Sequence, residues 1–187
     1  MSKSPYILAI DQGTSSTRAA LIDKKGIIVD QESVEFKQIY PANGWVEHDP
    51  FEIMQTIKST ITTIFERNKI IQNDILSCGI TNQRETIVAW NKVTGNPLYN
   101  AIVWQDRRTQ NICQNLIDKD YTNLIQEKTG LIIDPYFSAS KIQWLLENIK
   151  DKNNLIVGTI DTWIIWNLTN KTKHLTDITN ASRTMLY

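Results

Sequence analysis

An uninterrupted apolar run near the amino terminus, followed at once by a polar turn, constrains the fold of this chain more than any other feature. Residues 6–10 read YILAI, with no polar alternation. Such a run is typical of a strand that is covered on both faces. Residues 18–22 read RAALI and predict a returning strand. We therefore expect the first strand to lie in the centre of a sheet.

The turn between these two strands combines a carboxylate, a glycine and several hydroxyl side chains. Gly13 has no Cβ, so an anion can approach the backbone closely, and Thr14, Ser15 and Ser16 offer further donors. Asp11 stands where it could hold a hydrated magnesium ion, which favours one or two carboxylates together with phosphate oxygens. The turn indicates a phosphate-binding loop, although the same residue types are common in ordinary polar hairpin turns.

Composition limits the class of protein. A chain of 187 residues with 41% hydrophobic residues can bury a sizeable core, as one domain or as part of a larger protein. The 20 basic and 20 acidic residues give zero net charge and no basic stripe, so we expect a small polar ligand rather than a nucleic acid. Cys78 and Cys113 have neither metal nor disulfide spacing, and no signal peptide or membrane span is visible. We expect a soluble cytoplasmic protein.

The rest of the pattern alternates strands and helices. A third strand begins at residues 27–29, and residues 49–52 (DPFE) predict a helix start. That helix has apolar residues at helical spacing that we expect to pack on the sheet: Phe51, Met54, Ile57, Ile61, Ile64 and Phe65. Further strands are predicted at 75–80, 86–90, 101–104 and 155–157, and further helices at 109–118, 120–128, 138–149 and 161–167. Three antiparallel strands followed by alternating helices and strands predict a mixed α/β fold of the ribonuclease-H and actin group, without an interdomain linker.

Four side chains follow strands or occupy turns where they could face a cleft. Arg84 offers only donors and Glu85 only acceptors, so together they could read the hydroxyls of a polyol. Trp104 offers an apolar surface for a short carbon chain, and Tyr136 adds a phenolic hydroxyl. Taken singly, each has a plainer interpretation, as a solvated ion pair, a core aromatic or a surface-anchored ring.

Several segments together resemble the FGGY family of carbohydrate kinases, and within it the kinases that act on glycerol. The match runs in order along essentially the whole chain, at residues 11–14, 44–50, 79–86, 99–105, 133–138 and 177–186. The first segment alone would also suit actin or chaperone ATPases. The segment NQRET at residues 82–86, with the segments around Trp104 and Tyr136, is specific to polyol kinases of this kind.

The resemblance implies a role for each candidate residue. Arg84, Glu85 and Tyr136 would hydrogen-bond glycerol, and Trp104 would pack on its carbons. Asp11 would lie near Mg²⁺, and the phosphates of ATP would be met by the remaining residues of the loop, namely Gly13, Thr14, Ser15, Ser16 and Arg18. Ser15 and Thr17 depart slightly from the family pattern, but the hydroxyls are kept.

The resemblance also implies a larger enzyme. Kinases of this family are two-domain proteins of well over twice this length, with ATP in the cleft between the domains. We expect residues 1–187 to form most of the first, glycerol-binding domain, with the general-base aspartate beyond Tyr187 and no catalytic residue in this chain. The complete enzyme would form homo-oligomers and convert glycerol and ATP to sn-glycerol 3-phosphate and ADP. The chain alone would be inactive.

Three alternatives stay open from the sequence. The chain could be a non-catalytic polyol-binding fragment. It could belong to a kinase of the same family that acts on another polyol or sugar, such as a pentulose. An actin-like or chaperone ATPase is a more distant alternative.

Overall fold

A computed structural model describes residues 5–187 and divides the chain into two compact units. Residues up to Lys37 together with Phe51–Gln83 form the first unit, and Gln38–Pro50 with Arg84–Tyr187 form the second. No helix within the described residues has the length and apolar character needed to cross a membrane.

The strands and helices follow one another along the chain in a mixed order. They are β1 (Tyr6–Gln12), β2 (Ser16–Ile22), β3 (Ile28–Glu35), β4 (Glu47–His48), α1 (Pro50–Asn68), β5 (Ile75–Asn82), β6 (Ile87–Asn91), β7 (Ala101–Ile102), α2 (Gln110–Asp118), α3 (Thr122–Thr129), α4 (Ser138–Asn148), β8 (Leu155–Thr159), α5 (Ile160–Leu168) and α6 (Ile178–Ala181). A single 3₁₀ turn at Gln72–Asp74 leads into β5.

The first unit contains a four-stranded sheet in the order β3-β2-β1-β5. The first three strands form an antiparallel meander and β5 runs parallel to β1, so the predicted central position of β1 is confirmed. Leu8 and Ile10 are buried, but Ile7, which points to the other face, is 39% exposed. The expectation that β1 is covered on both faces is therefore not met in the part of the chain that the structure describes.

Helix α1 covers one face of this sheet, as Thr17 of β2 shares a hydrogen bond of 2.8 Å with Thr56 of the helix. Its buried apolar residues are Ile53, Met54, Ile57 and Ile64. The prediction for Phe51 is wrong, since this side chain is 56% exposed. At 3.6 residues per turn, Phe51 lies about 120° around the helix from Ile57, so it cannot share the buried face.

The second unit contains an antiparallel sheet in the order β4-β7-β6-β8, with helices packed on both faces of β6. Ile87 of β6 clusters with Leu145 of α4. On the opposite face, the ring of Trp90 meets that of Trp163 of α5 edge-on, with centroids 5.2 Å apart. Because adjacent residues of a strand point to opposite faces, residues 87–90 of β6 are all buried and read as an apolar run.

The predicted strand at 101–104 is shorter in the structure. It ends at Ile102, because the N–H of Val103 donates to the carbonyl of Val46 (3.0 Å) and that of Trp104 to the hydroxyl of Thr86 (3.1 Å). The backbone thus leaves the sheet just where Trp104 begins. The short elements β4 and α6 were not predicted, since two and four residues carry no readable periodicity.

Gly158 of β8 marks a close approach of α5 to the strand. A Cβ added at Gly158 would lie 2.7 Å from the Cβ of Thr162, so Gly158→Ala should lower the free energy of unfolding of this chain by about 1–3 kcal/mol through overpacking. A matched control is Gly79→Ala in β5, where an added Cβ would meet no atom within 4 Å. That variant should be unchanged or stabilised by up to about 1 kcal/mol. Urea denaturation of both variants measures these changes, and equal losses of unfolding free energy in the two variants would refute the packing argument.

Candidate functional site

The turn at Gly13 is held by two buried glutamine side chains. The amide Nε2 of Gln12 donates to the carbonyl of Gly13 at 2.8 Å, and Nε2 of Gln83 donates to the same oxygen at 3.1 Å. The N–H of Gly13 in turn donates to the carbonyl of Ser16 at 2.9 Å. The backbone of this turn is therefore fixed from both sides. Sequence reasoning missed this role of Gln12 and Gln83, which are 71 residues apart.

The pleat of the sheet separates the predicted phosphate-binding residues by face. Asp11 and Arg18 lie directly opposite each other in the register of β1 and β2, and both are exposed. Thr17 points to the other face, where it is buried against α1. Three loop residues lie near the surface, with Ser15 exposed and Thr14 and Ser16 half-buried. The hydroxyls, one carboxylate and one guanidinium thus surround a single turn.

The donor set at this turn suits magnesium brought in by a nucleotide. Within residues 5–187 there is no group of three or more His, Cys, Asp or Glu side chains that could hold a metal ion. Mg²⁺ does not need such a group, because it keeps several waters and is bound by one or two carboxylates together with substrate phosphates. The exposed carboxylate of Asp11 is a ligand of that kind.

In the second unit, Glu85 combines a buried carboxylate with a left-handed backbone. The residue is 2% exposed and has a φ of 63°. A non-glycine residue in this region costs free energy and persists only where its surroundings hold it. Here the carbonyl of Glu85 accepts a hydrogen bond of 3.1 Å from the Ser138 hydroxyl, and its carboxylate accepts one of 2.6 Å from Nε of Arg183.

Arg183 links Glu85 to the aromatic side of the site. Its guanidinium carbon lies 5.5 Å from the ring centroid of Tyr136 and 4.9 Å from that of Phe137. The hydrogen bond to Glu85 is the main cause that raises the pKa of Arg183 above its ordinary value, and an interaction with Tyr136 makes a smaller contribution. Sequence reasoning assigned no role to Arg183, because nothing in the chain signals a contact between residues 98 positions apart.

Trp104 and Tyr136 meet edge to face, with ring centroids 5.4 Å apart. The N–H of Tyr136 donates to the carboxylate of Asp134 at 2.7 Å, which fixes the loop before α4. Arg84 directly precedes Glu85 and is exposed. The structure therefore links Glu85 to Tyr136 through Arg183, and Tyr136 to Trp104 through their ring contact. Arg84 lies on the same loop as Glu85.

A buried ionic cluster stabilises the loop that carries Trp104. The guanidinium of Arg108 donates to the carboxylates of Asp106 and Glu47, each at 2.7 Å, and lies 3.8 Å from the ring centroid of Trp45. Burial acts to lower the pKa of Arg108, but the hydrogen bonds to its two carboxylates outweigh burial and raise it. Because Asp106 lies two residues after Trp104, the cluster anchors the loop that carries the tryptophan.

The second unit thus presents an acceptor, donors and an aromatic surface within one small region. Such a set can orient a short molecule that carries hydroxyl groups on an apolar chain. The turn in the first unit offers backbone and hydroxyl donors, with a carboxylate, to an anion. Each unit therefore has its own candidate binding site.

Comparisons with known proteins identify the family of this chain. The model of the family described as "FGGY family of carbohydrate kinases, N-terminal domain" matches residues 6–187. This chain belongs to the FGGY family of carbohydrate kinases.

Three relatives show the range of the family. "Glycerol kinase 1" of Clostridium tetani is 53% identical over 97% of this chain. The crystal structure of Plasmodium falciparum glycerol kinase with ADP has a TM-score of 0.90, with 41% identity over 98% of this chain. The ligand-bound xylulose kinase of Lactobacillus acidophilus has a TM-score of 0.87, with 25% identity over 97% of this chain. The chain spans 38%, 38% and 36% of these three proteins, respectively.

Proposed function

We propose that the full-length protein is a glycerol kinase, which transfers the γ-phosphoryl group of ATP to glycerol and forms sn-glycerol 3-phosphate. The observation that carries this proposal is the group formed by Glu85, Arg183, Tyr136 and Trp104. Its buried carboxylate, paired guanidinium and two aromatic rings suit a molecule as small as a three-carbon polyol. The identities of 53% and 41% to proteins named glycerol kinase support the same substrate.

The second unit would bind and orient glycerol. Arg84 would donate to two neighbouring hydroxyls and Glu85 would accept from them, while Trp104 packs on the carbon chain. Tyr136 would contribute its hydroxyl at the other end. A site that pairs with several hydroxyls rejects analogues without them by a factor of up to about 10⁴, because its own buried groups are then left unpaired.

The turn of the first unit would bind the phosphates of ATP. Gly13 leaves the backbone accessible, and Thr14, Ser15, Ser16 and Arg18 would donate to phosphate oxygens. Asp11 would hold Mg²⁺. When bound, this ion would neutralise the charge that develops on the transferred phosphoryl group. We further propose that residues 1–187 form most of the glycerol-binding domain of a cytoplasmic homo-oligomer, with the general base beyond Tyr187.

A sugar substrate instead of glycerol is the main alternative, because the xylulose kinase of Lactobacillus acidophilus has nearly the same fold over this chain. Its identity is 25%, against 53% for the Clostridium tetani glycerol kinase. Steady-state assays of the full-length protein with glycerol, erythritol and D-xylulose separate the two. The proposal requires the largest kcat/KM for glycerol.

Two variants of the full-length protein should be impaired toward different ligands if the two candidate binding sites are assigned correctly. Arg84→Ala removes a charged donor to the substrate, which costs about 1.5–3 kcal/mol, and kcat/KM for glycerol should fall roughly 10- to 100-fold. Gly13→Val adds a branched side chain at a position where an added Cβ alone would lie 3.2 Å from the carbonyl oxygen of Ser16. It should weaken nucleotide binding and leave glycerol binding almost intact.

Calorimetry with glycerol and with a non-hydrolysable ATP analogue measures both effects. Arg67→Ala is the control, since Arg67 is half-exposed and forms ion pairs with Asp30 and Glu32 at the surface. Melting curves confirm that each variant is folded. A loss of nucleotide affinity in Arg84→Ala with normal glycerol binding would show that Arg84 serves the other ligand.

A further inference from the structure

Lys141 is fully buried in the second turn of α4 and has no role in the proposed reaction. Its Nζ donates to three successive backbone carbonyls in the segment before the helix. These belong to Pro135, to Tyr136 at 2.7 Å and to Phe137 at 3.1 Å. A lysine ammonium has three N–H donors, so all of them are used here on one short segment.

The segment that Lys141 holds is the one that carries the aromatic side of the polyol site. Tyr136 packs edge-on against Trp104 and lies under the guanidinium of Arg183. Ser138, in the first turn of the same helix, donates to the carbonyl of Glu85. The amino-terminal end of α4 therefore supports two of the residues proposed to bind glycerol, Tyr136 through Lys141 and Glu85 through Ser138.

We propose that Lys141 is a positioning residue of the polyol site, whose ammonium group fixes the Tyr136 ring by holding the three carbonyls around it. This inference rests on the proposed function. Lys141 does not touch the substrate, and its contribution is transmitted entirely through the backbone of Pro135, Tyr136 and Phe137.

The surroundings of Lys141 make its charge sensitive to pH near neutrality. Burial is the main cause that lowers the pKa of Lys141 to about 7, while the carboxylates of Asp106, Glu85 and Asp134 oppose this effect. The three carboxylates are already engaged by arginines, Asp106 by Arg108, Glu85 by Arg183 and Asp134 by Arg107. Burial raises the pKa of the Cys113 thiol, so it stays neutral near pH 7.

The direction of the pH effect follows from the number of donors. Below pH 7 the ammonium form supplies three N–H groups to three carbonyls. Above pH 7 the neutral amine supplies two, and its lone pair repels the third carbonyl. Tyr136 should therefore be held less firmly as the pH rises. The KM for glycerol should increase roughly 3- to 10-fold between pH 6 and pH 8, the factor that one lost hydrogen bond typically costs.

The test is the pH profile of the full-length enzyme from pH 6.0 to 8.5 at saturating ATP, with KM for glycerol and kcat measured separately. Lys141→Met removes all donors, and Lys141→Gln keeps two N–H groups that do not titrate. Both variants should show a flat KM profile at or above the high-pH value of the wild type, with kcat at saturating glycerol within about 3-fold. Lys150→Met, an exposed lysine just beyond α4, should keep the wild-type profile.

The outcomes separate this inference from the proposed function. A wild type that does not phosphorylate glycerol would overturn the proposed function and this inference together. An active wild type with a flat KM profile, or a folded Lys141 variant that keeps the step near pH 7, would overturn the inference alone. If neither Lys141 variant folds, as judged by melting curves, Lys141 serves stability rather than positioning, and the inference is also overturned.

Discussion

The buried carboxylate of Glu85 is the constraint on which the second unit depends. A carboxylate removed from water is costly unless it is paired and hydrogen-bonded, and Glu85 adds a left-handed backbone to that cost. Arg183 meets the charge from the carboxy-terminal segment, and Ser138 of α4 meets the carbonyl. Removing the arginine would leave the charge unpaired. The ion pair and the hydrogen bond from Ser138 therefore require the segment after α6 and α4 to converge on the loop between β5 and β6.

The aromatic half of the site depends on a second set of buried charges. Arg108, Asp106 and Glu47 anchor the loop that carries Trp104, while Lys141 holds the loop that carries Tyr136. The rings of Trp104 and Tyr136, one on each of these two loops, make the edge-to-face contact. Charges placed behind a site in this way keep its side chains in one arrangement before substrate arrives, which limits the ordering cost of binding.

Most of the fold could be predicted because its signals are local. The apolar runs of β1 and β6, the turn at Gly13 and the proline that opens α1 each act over a few residues. The partners of the candidate site could not be predicted. Arg183 lies 98 residues from Glu85, and Lys141 reads as an ordinary helical lysine until the structure shows that it is buried. The error at Phe51 has a different cause, since its spacing of six residues from Ile57 already places it off the buried face of α1.

A crystal structure of the full-length protein with glycerol bound tests the assignment of the polyol site most directly. Glycerol oxygens should lie within hydrogen-bonding distance, about 2.6–3.2 Å, of the side chains of Arg84, Glu85 and Tyr136, with the carbon chain against the ring of Trp104. Arg183 should keep its hydrogen bond to Glu85. Glycerol bound away from these residues, or a Glu85 carboxylate that turns from glycerol while the enzyme is active, would show that the substrate is read elsewhere.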